Sequence, residues 1–214
     1  MIGLLEKDLY LIVKNFSFAY LIILIAPVFA AFSNPQDAMF IFCLMIALLF
    51  AFQITNTMSL DETAHWKKNV TAMPVTYLCE AASKYILAVL LAILAGIGIG
   101  MIGLLWQLLY SISFTSIIMY IGIGCSVVLL YACIIIPISY RFGTTKSRYI
   151  FMLFVFIPAG TPLVLKALHI NINFNFLKNI NQFELACWLA LCLALCVFIS
   201  LFISVSILKY RQDN

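Results

Sequence analysis

Apolar residues in this chain fall into long unbroken runs divided by short polar stretches. Six runs stand out: Ala19–Phe32, Ala38–Ser59, Tyr85–Leu108, Phe114–Tyr140, Tyr149–Leu168 and Leu185–Leu208. They lack the period-two alternation of an outer-membrane strand, so they read as helices. A helix needs ~20 apolar residues to cross the hydrocarbon. In lipid, helices satisfy their own backbone hydrogen bonds. The pattern therefore predicts an all-α polytopic membrane protein with six transmembrane helices. The first sixteen residues follow another rule. Ile2, Leu5, Leu9, Ile12 and Phe16 recur at spacing 3, 4, 3, 4, while Glu6, Lys7, Lys14 and Asn15 fall mostly elsewhere on the wheel. That predicts an amphipathic interfacial helix over 1–16, lying flat on the inner leaflet. The alternative is a plain extension of the first span.

Composition narrows the class. Of 214 residues, 65% are apolar and 9% charged, against ~25% charged in a soluble protein. A soluble globular domain, a disordered chain and a collagen-like fibre are excluded. Six spans leave only loops and ends, so residues 1–214 read as a single transmembrane domain with no separate catalytic domain. The net charge of +4 is then no nucleic-acid footprint, and the placement of the charges carries the information. With the amino terminus in the cytoplasm, Lys7, Lys14, Lys67, Lys68, Lys84, Arg141, Lys146, Arg148, Lys209 and Arg211 lie inside, and only Lys166 and Lys178 outside. This bias predicts that both termini are cytoplasmic. A cleaved signal peptide fits poorly, because Glu6 and Asp8 precede the first run. Six of the seven cysteines lie inside apolar runs and no C-x-x-C pair occurs, so cysteine acts as a small hydrophobe here.

Several segments are more than spans. Residues 59–84 form the longest cytoplasmic link. Ser59 with Glu62 three residues on has the form of a capping box. It would open a short helix, Asp61–Asn69, with acids in the first turn and Lys67 and Lys68 in the last. Pro74 would break the chain, and Glu80 with Lys84 would form an i,i+4 pair leading into the third span. The short helix presents His65 and Trp66, either to a partner's groove or to the headgroups. Gln53, Asn56 and Thr57, spaced i, i+3, i+4, share one helix face. They would line a cytoplasm-facing cavity or make helix–helix hydrogen bonds. Gly96 and Gly100 form a G-x-x-x-G pair for close packing, within the bundle or between subunits. Pro158-Ala159-Gly160-Thr161-Pro162 should kink or break the fifth run.

Catalytic constellations are missing. His65 and His169 fall on opposite sides of the membrane and cannot share a metal. No serine-hydrolase or metalloprotease motif occurs. Gly143-Thr144-Thr145-Lys146-Ser147 lacks the glycine that a phosphate loop places before its lysine. We therefore expect no catalytic residue, no metal and no cofactor in this chain. Uphill transport would need energy from another subunit.

The amphipathic start MIGLLEKDLYLIVKN, the loop DETAHWKKNVTAMPVTYLCEAASKYI, the six-span layout and the basic tail KYRQDN resemble the membrane subunits of the ABC-2 type permease family. Within it, the chain is most similar to the compact Gram-positive permeases of the phenol-soluble modulin exporter type. The resemblance implies a non-catalytic permease subunit in a bacterial plasma membrane, exporting amphipathic peptides or other hydrophobic cargo. It implies two separate ABC ATPase subunits that hold the ATP and Mg. It also implies a second permease, either another copy or a paralogue. By position, the family's coupling helix falls on Asp61–Asn69, with Asp61, Glu62, His65 and Trp66 as the contact residues. No substrate-contact set carries over, so Gln53, Asn56 and Thr57 stand as path candidates on their placement alone. Two other classes compete: the substrate-binding membrane component of an energy-coupling vitamin importer, and an intramembrane enzyme. The missing catalytic constellations weigh against the second.

Overall fold

The structure, a computed structural model, describes residues 2–15, 35–66, 76–110, 113–152 and 182–212. Within them lie α1 (Ile2–Asn15), α2 (Pro35–Thr63), α3 (Tyr77–Tyr110), α4 (Phe114–Phe142), a short α5 (144–152) and α6 (Gln182–Gln212). There is no strand among the described residues. Helices α2, α3, α4 and α6 are each long and apolar enough to cross a membrane. The expected span Ala19–Phe32, the rest of Tyr149–Leu168, the Pro158–Pro162 break and the Lys67–Lys68 turn lie outside the described residues.

Helices α2, α3 and α4 pack on one another, α6 lies against α3 and α4, and α1 rests on α2 and α3. Close approach comes from small residues. A methyl group on Gly96 would sit 3.0 Å from the Cys125 sulfur, and one on Gly103 would sit 2.7 Å from a methyl of Ile117. A methyl group on Gly124 would in turn overlap the end of the Ile99 side chain, which would have to shift. The glycine pattern of α3 thus serves packing against α4 inside one bundle, which decides between the two sites the sequence left open. Large side chains such as Ile97, Met101 and Leu105 on α3, and Leu195, Phe198 and Phe202 on α6, are exposed, as a surface solvated by lipid tails would be.

Pro137 lies inside α4. Having no N–H, it leaves the carbonyl of Cys133 without its helical donor. Ser200 of α6 donates to that carbonyl at 2.6 Å. With its proton so placed, Ser200 accepts from the Tyr85 hydroxyl of α3, and Ser204 donates to Tyr85 at 3.0 Å. The backbone gap opened by one proline is thereby closed by a polar chain across three helices, which is how a membrane helix tolerates an internal proline.

Candidate functional site at the charged end of the bundle

Helix α2 does not stop where its apolar run does. Nothing between Ala51 and Thr63 is glycine or proline, so the helix continues to Thr63. Ala64 and His65 then form a turn before Trp66, which is helical again, and His65 takes a left-handed φ of 49°, a conformation more usual for glycine or asparagine after a helix end. The expected separate helix beginning at Asp61 is therefore corrected. Ser59 is mid-helix, no capping box forms, and Asp61 and Glu62 lie in the last turn of α2. Acids are disfavoured there by the helix dipole. Partners on other elements offset this.

Asp61 is bound by two lysines. Lys7 of α1 bonds its Oδ1, and Lys84 of α3 reaches its Oδ2 at 2.6 Å. Lys84 also contacts both oxygens of Asp8, at 2.9 and 2.8 Å. Lys7 lies 3.3 Å from Asp8, and its ammonium sits 4.2 Å above the Trp66 ring. The spacing pairs Lys84 with Glu80 one turn away. In the fold, its ammonium has three carboxylate contacts on other helices. Asp8 is 1% exposed. Such a carboxylate would be costly without a cation beside it.

Glu62 reaches the turn between α4 and α5. One of its oxygens accepts from the backbone N–H of Thr144 at 2.8 Å and from the Thr144 hydroxyl. It therefore caps the first turn of α5 from a different helix, on the favourable side of that dipole. Gly143 alone joins α4 to α5, at φ 86° and ψ 165°. A methyl group there would stand 2.8 Å from Glu62. The pair α4–α5 is further closed by Ser139, which donates to Ser147 at 3.0 Å, and by the Tyr131 and Phe151 rings, 4.5 Å apart.

These contacts surround a cavity of about 280 Å³. Its wall includes Leu4, Met58, Trp66 and Tyr140 on the apolar side and Asp61 and Lys84 on the polar side. All four residues expected to face a partner, Asp61, Glu62, His65 and Trp66, border it. Gln53, Asn56 and Thr57 do not. Gln53 and Thr57 are buried in helix packing, Asn56 donates to Gln53 at 3.4 Å, and Thr57 bonds the carbonyl of Ile54. Their neighbour Thr55 makes the interhelical bond, 2.6 Å from the Tyr131 hydroxyl.

Sequence reasoning missed Lys7, Asp8, Lys84 and Thr144 as members of this site. A signal existed for Asp8. It lies four residues after Leu4, and both are buried, whereas Leu9 of the expected stripe is 38% exposed. An acid on a helix face that packs against spans needs a partner. Among the described residues no cluster of His, Cys, Asp and Glu could hold a metal.

No curated protein and no solved structure is similar enough to this chain to match it. A protein family does match, described as ABC-2 family transporter protein, over residues 3–209. Proteins of that family are membrane components of transporters and work with an ABC ATPase partner. The match runs from α1 to the end of α6 and takes in every element of the charged end, so this chain belongs to the ABC-2 family of membrane transport proteins.

Proposed function

We propose that this chain is the permease subunit of an ATP-driven exporter in a bacterial plasma membrane, moving amphipathic peptides or other hydrophobic cargo outward. The observation that carries the reading is the family match over residues 3–209. It favours this reading over the vitamin-importer component. The geometry supports it. A carboxylate-bearing helix end, followed at once by Trp66, stands clear of the apolar packing and is fixed to its surroundings by ionic bonds. An element that must transmit force from another protein needs that rigidity. ATP is hydrolysed on two partner subunits, and the Asp61–Trp66 segment is where they dock. The charged end faces the cytoplasm, and a second permease completes the pathway.

Expression of the tagged permease in its native host, followed by purification through the permease alone, tests the reading. The ATPase should be recovered, and amphipathic peptides should raise its turnover in reconstituted vesicles. Absence of the ATPase from the purified material would overturn the proposal. Stimulation by soluble vitamins but not by peptides would redirect it to import.

A further inference from the structure

The transport reading uses one arm of the ionic network, the last turn of α2. The other arm, into α1, is left without a role. A fourteen-residue amphipathic helix can lie on a membrane by its apolar face alone. Here α1 is seated differently. Leu4 and Asp8 turn into the bundle, while Tyr10 and Val13 point away, 64% and 76% exposed. The anchor of that seat is ionic. The three N–H donors of an ammonium match the three carboxylate oxygens around Lys84, two on α1 and one on α2. Neither the Lys84 side chain, 7% exposed, nor that of Asp8, 1% exposed, is well solvated without the other. Lys7 adds a second grip from α1 on the same segment, through Asp61 and the Trp66 ring. An apolar contact lets a helix slide. A buried, multiply bonded ion pair fixes its register.

We propose that Lys84 and Asp8 are positioning residues that lock the amino-terminal helix to the Asp61–Trp66 segment, so that a displacement of this segment moves α1 and α3 together. The source of the displacement rests on the transport reading, and the lock itself does not. The full chain in lipid nanodiscs, compared by hydrogen exchange with Lys84→Met, Lys84→Arg and Asp8→Asn, tests the lock. In Lys84→Met, amides of residues 2–15 should exchange roughly tenfold faster or more, with α3 and α4 unchanged. Lys84→Arg, which keeps the cation, should restore much of the protection. If Lys84→Met does not fold, Asp8→Asn decides by the same measurement. Unchanged exchange in α1 would mean that the bilayer alone holds the helix, and the lock would be rejected. The second readout uses the complex with its ATPase. Measured per bound ATPase, Lys84→Met should lose peptide-stimulated ATP turnover. Full stimulation beside a loosened α1 would reject the coupling role. If even the wild-type chain recovers no ATPase, the transport reading fails and the coupling role with it, while the exchange data still decide the lock.

Discussion

Gly143 shows how much can rest on one residue. Its dihedrals lie in a region essentially closed to other amino acids, and the carboxylate of Glu62 fills the space where a methyl group would go. Gly143→Ala should therefore destabilise the protein by about 1–3 kcal/mol. Gly122, inside α4, has nothing within 4 Å of its missing methyl and has ordinary helical dihedrals. Gly122→Ala should be neutral or stabilising by up to about 1 kcal/mol. Equilibrium unfolding in mixed micelles distinguishes the two, and equal effects would refute the role given to the Glu62 contact. Trp66 carries a prediction of a different kind. A large aromatic flanked by charge is typical of an interface hot spot, so Trp66→Ala should weaken ATPase association by about 2 kcal/mol. His65→Gly serves as its control, because glycine accepts the left-handed turn that His65 occupies. That variant should keep the helix end intact and reveal what the imidazole itself contributes. Pull-down of the ATPase at equal membrane levels is the measurement. Equal recovery by Trp66→Ala and wild type would place Trp66 at the headgroups and move the docking site toward Arg141–Arg148.

At the scale of elements, the proline of α4 and the serines of α6 form one unit. Ser200→Ala strips the donor from the Cys133 carbonyl and should cost roughly 1–3 kcal/mol, the range for a buried polar group left unsatisfied. Pro137→Ala restores the backbone N–H that α4 lacks. In that background the loss of Ser200 should be milder by about 1 kcal/mol, a coupling expected of groups sharing one partner. Additive effects in a double-mutant unfolding cycle would disprove the link between Pro137 and Ser200. The packing of α3 on α4 rests on different physics. Glycines on α3 admit Ile117, Ile121 and Cys125 of α4, and Gly124 on α4 admits Ile99 of α3. Both partners contribute both knobs and gaps.

At the scale of the whole molecule, the polar groups of the described residues fall in two zones. Inside the bundle they are few and locally satisfied, as in the Tyr85–Ser200–Cys133 chain. At the charged end they join α1, α2, α3 and the α4–α5 turn. An apolar bundle with a cross-linked polar end is suited to receive a push at that end. The excess of basic residues on the side assigned to the cytoplasm, ten against two, predicts which end faces inward. A cysteine placed at position 68 in a cysteine-free background should be shielded from an impermeant thiol reagent in intact cells, and one at position 175 should react. The reverse labelling would invert the topology and turn the charged end outward.

The division between sequence and fold has a physical origin. Hydrophobic run length was enough to read helical, membrane-spanning segments, because lipid leaves the backbone few alternatives. The amphipathic start and the polar tract around Asp61–Trp66 were also legible, since both interrupt that pattern. Partner choice was not. Lys84 could be paired with Glu80 from spacing alone, but its carboxylates come from residues 76 and 23 positions away. Ser59 and Glu62 had the spacing of a helix start, yet α2 runs through them, because no residue there breaks a helix and distant cations and the Thr144 backbone stabilise the acids at its end. The sequence by itself determined which segments are apolar and where charge accumulates, since both are local properties. Only the tertiary structure decided which charges neutralise one another and which face of α1 is buried, since a charge is satisfied by whatever group lies a few ångströms away in space, at any distance along the chain.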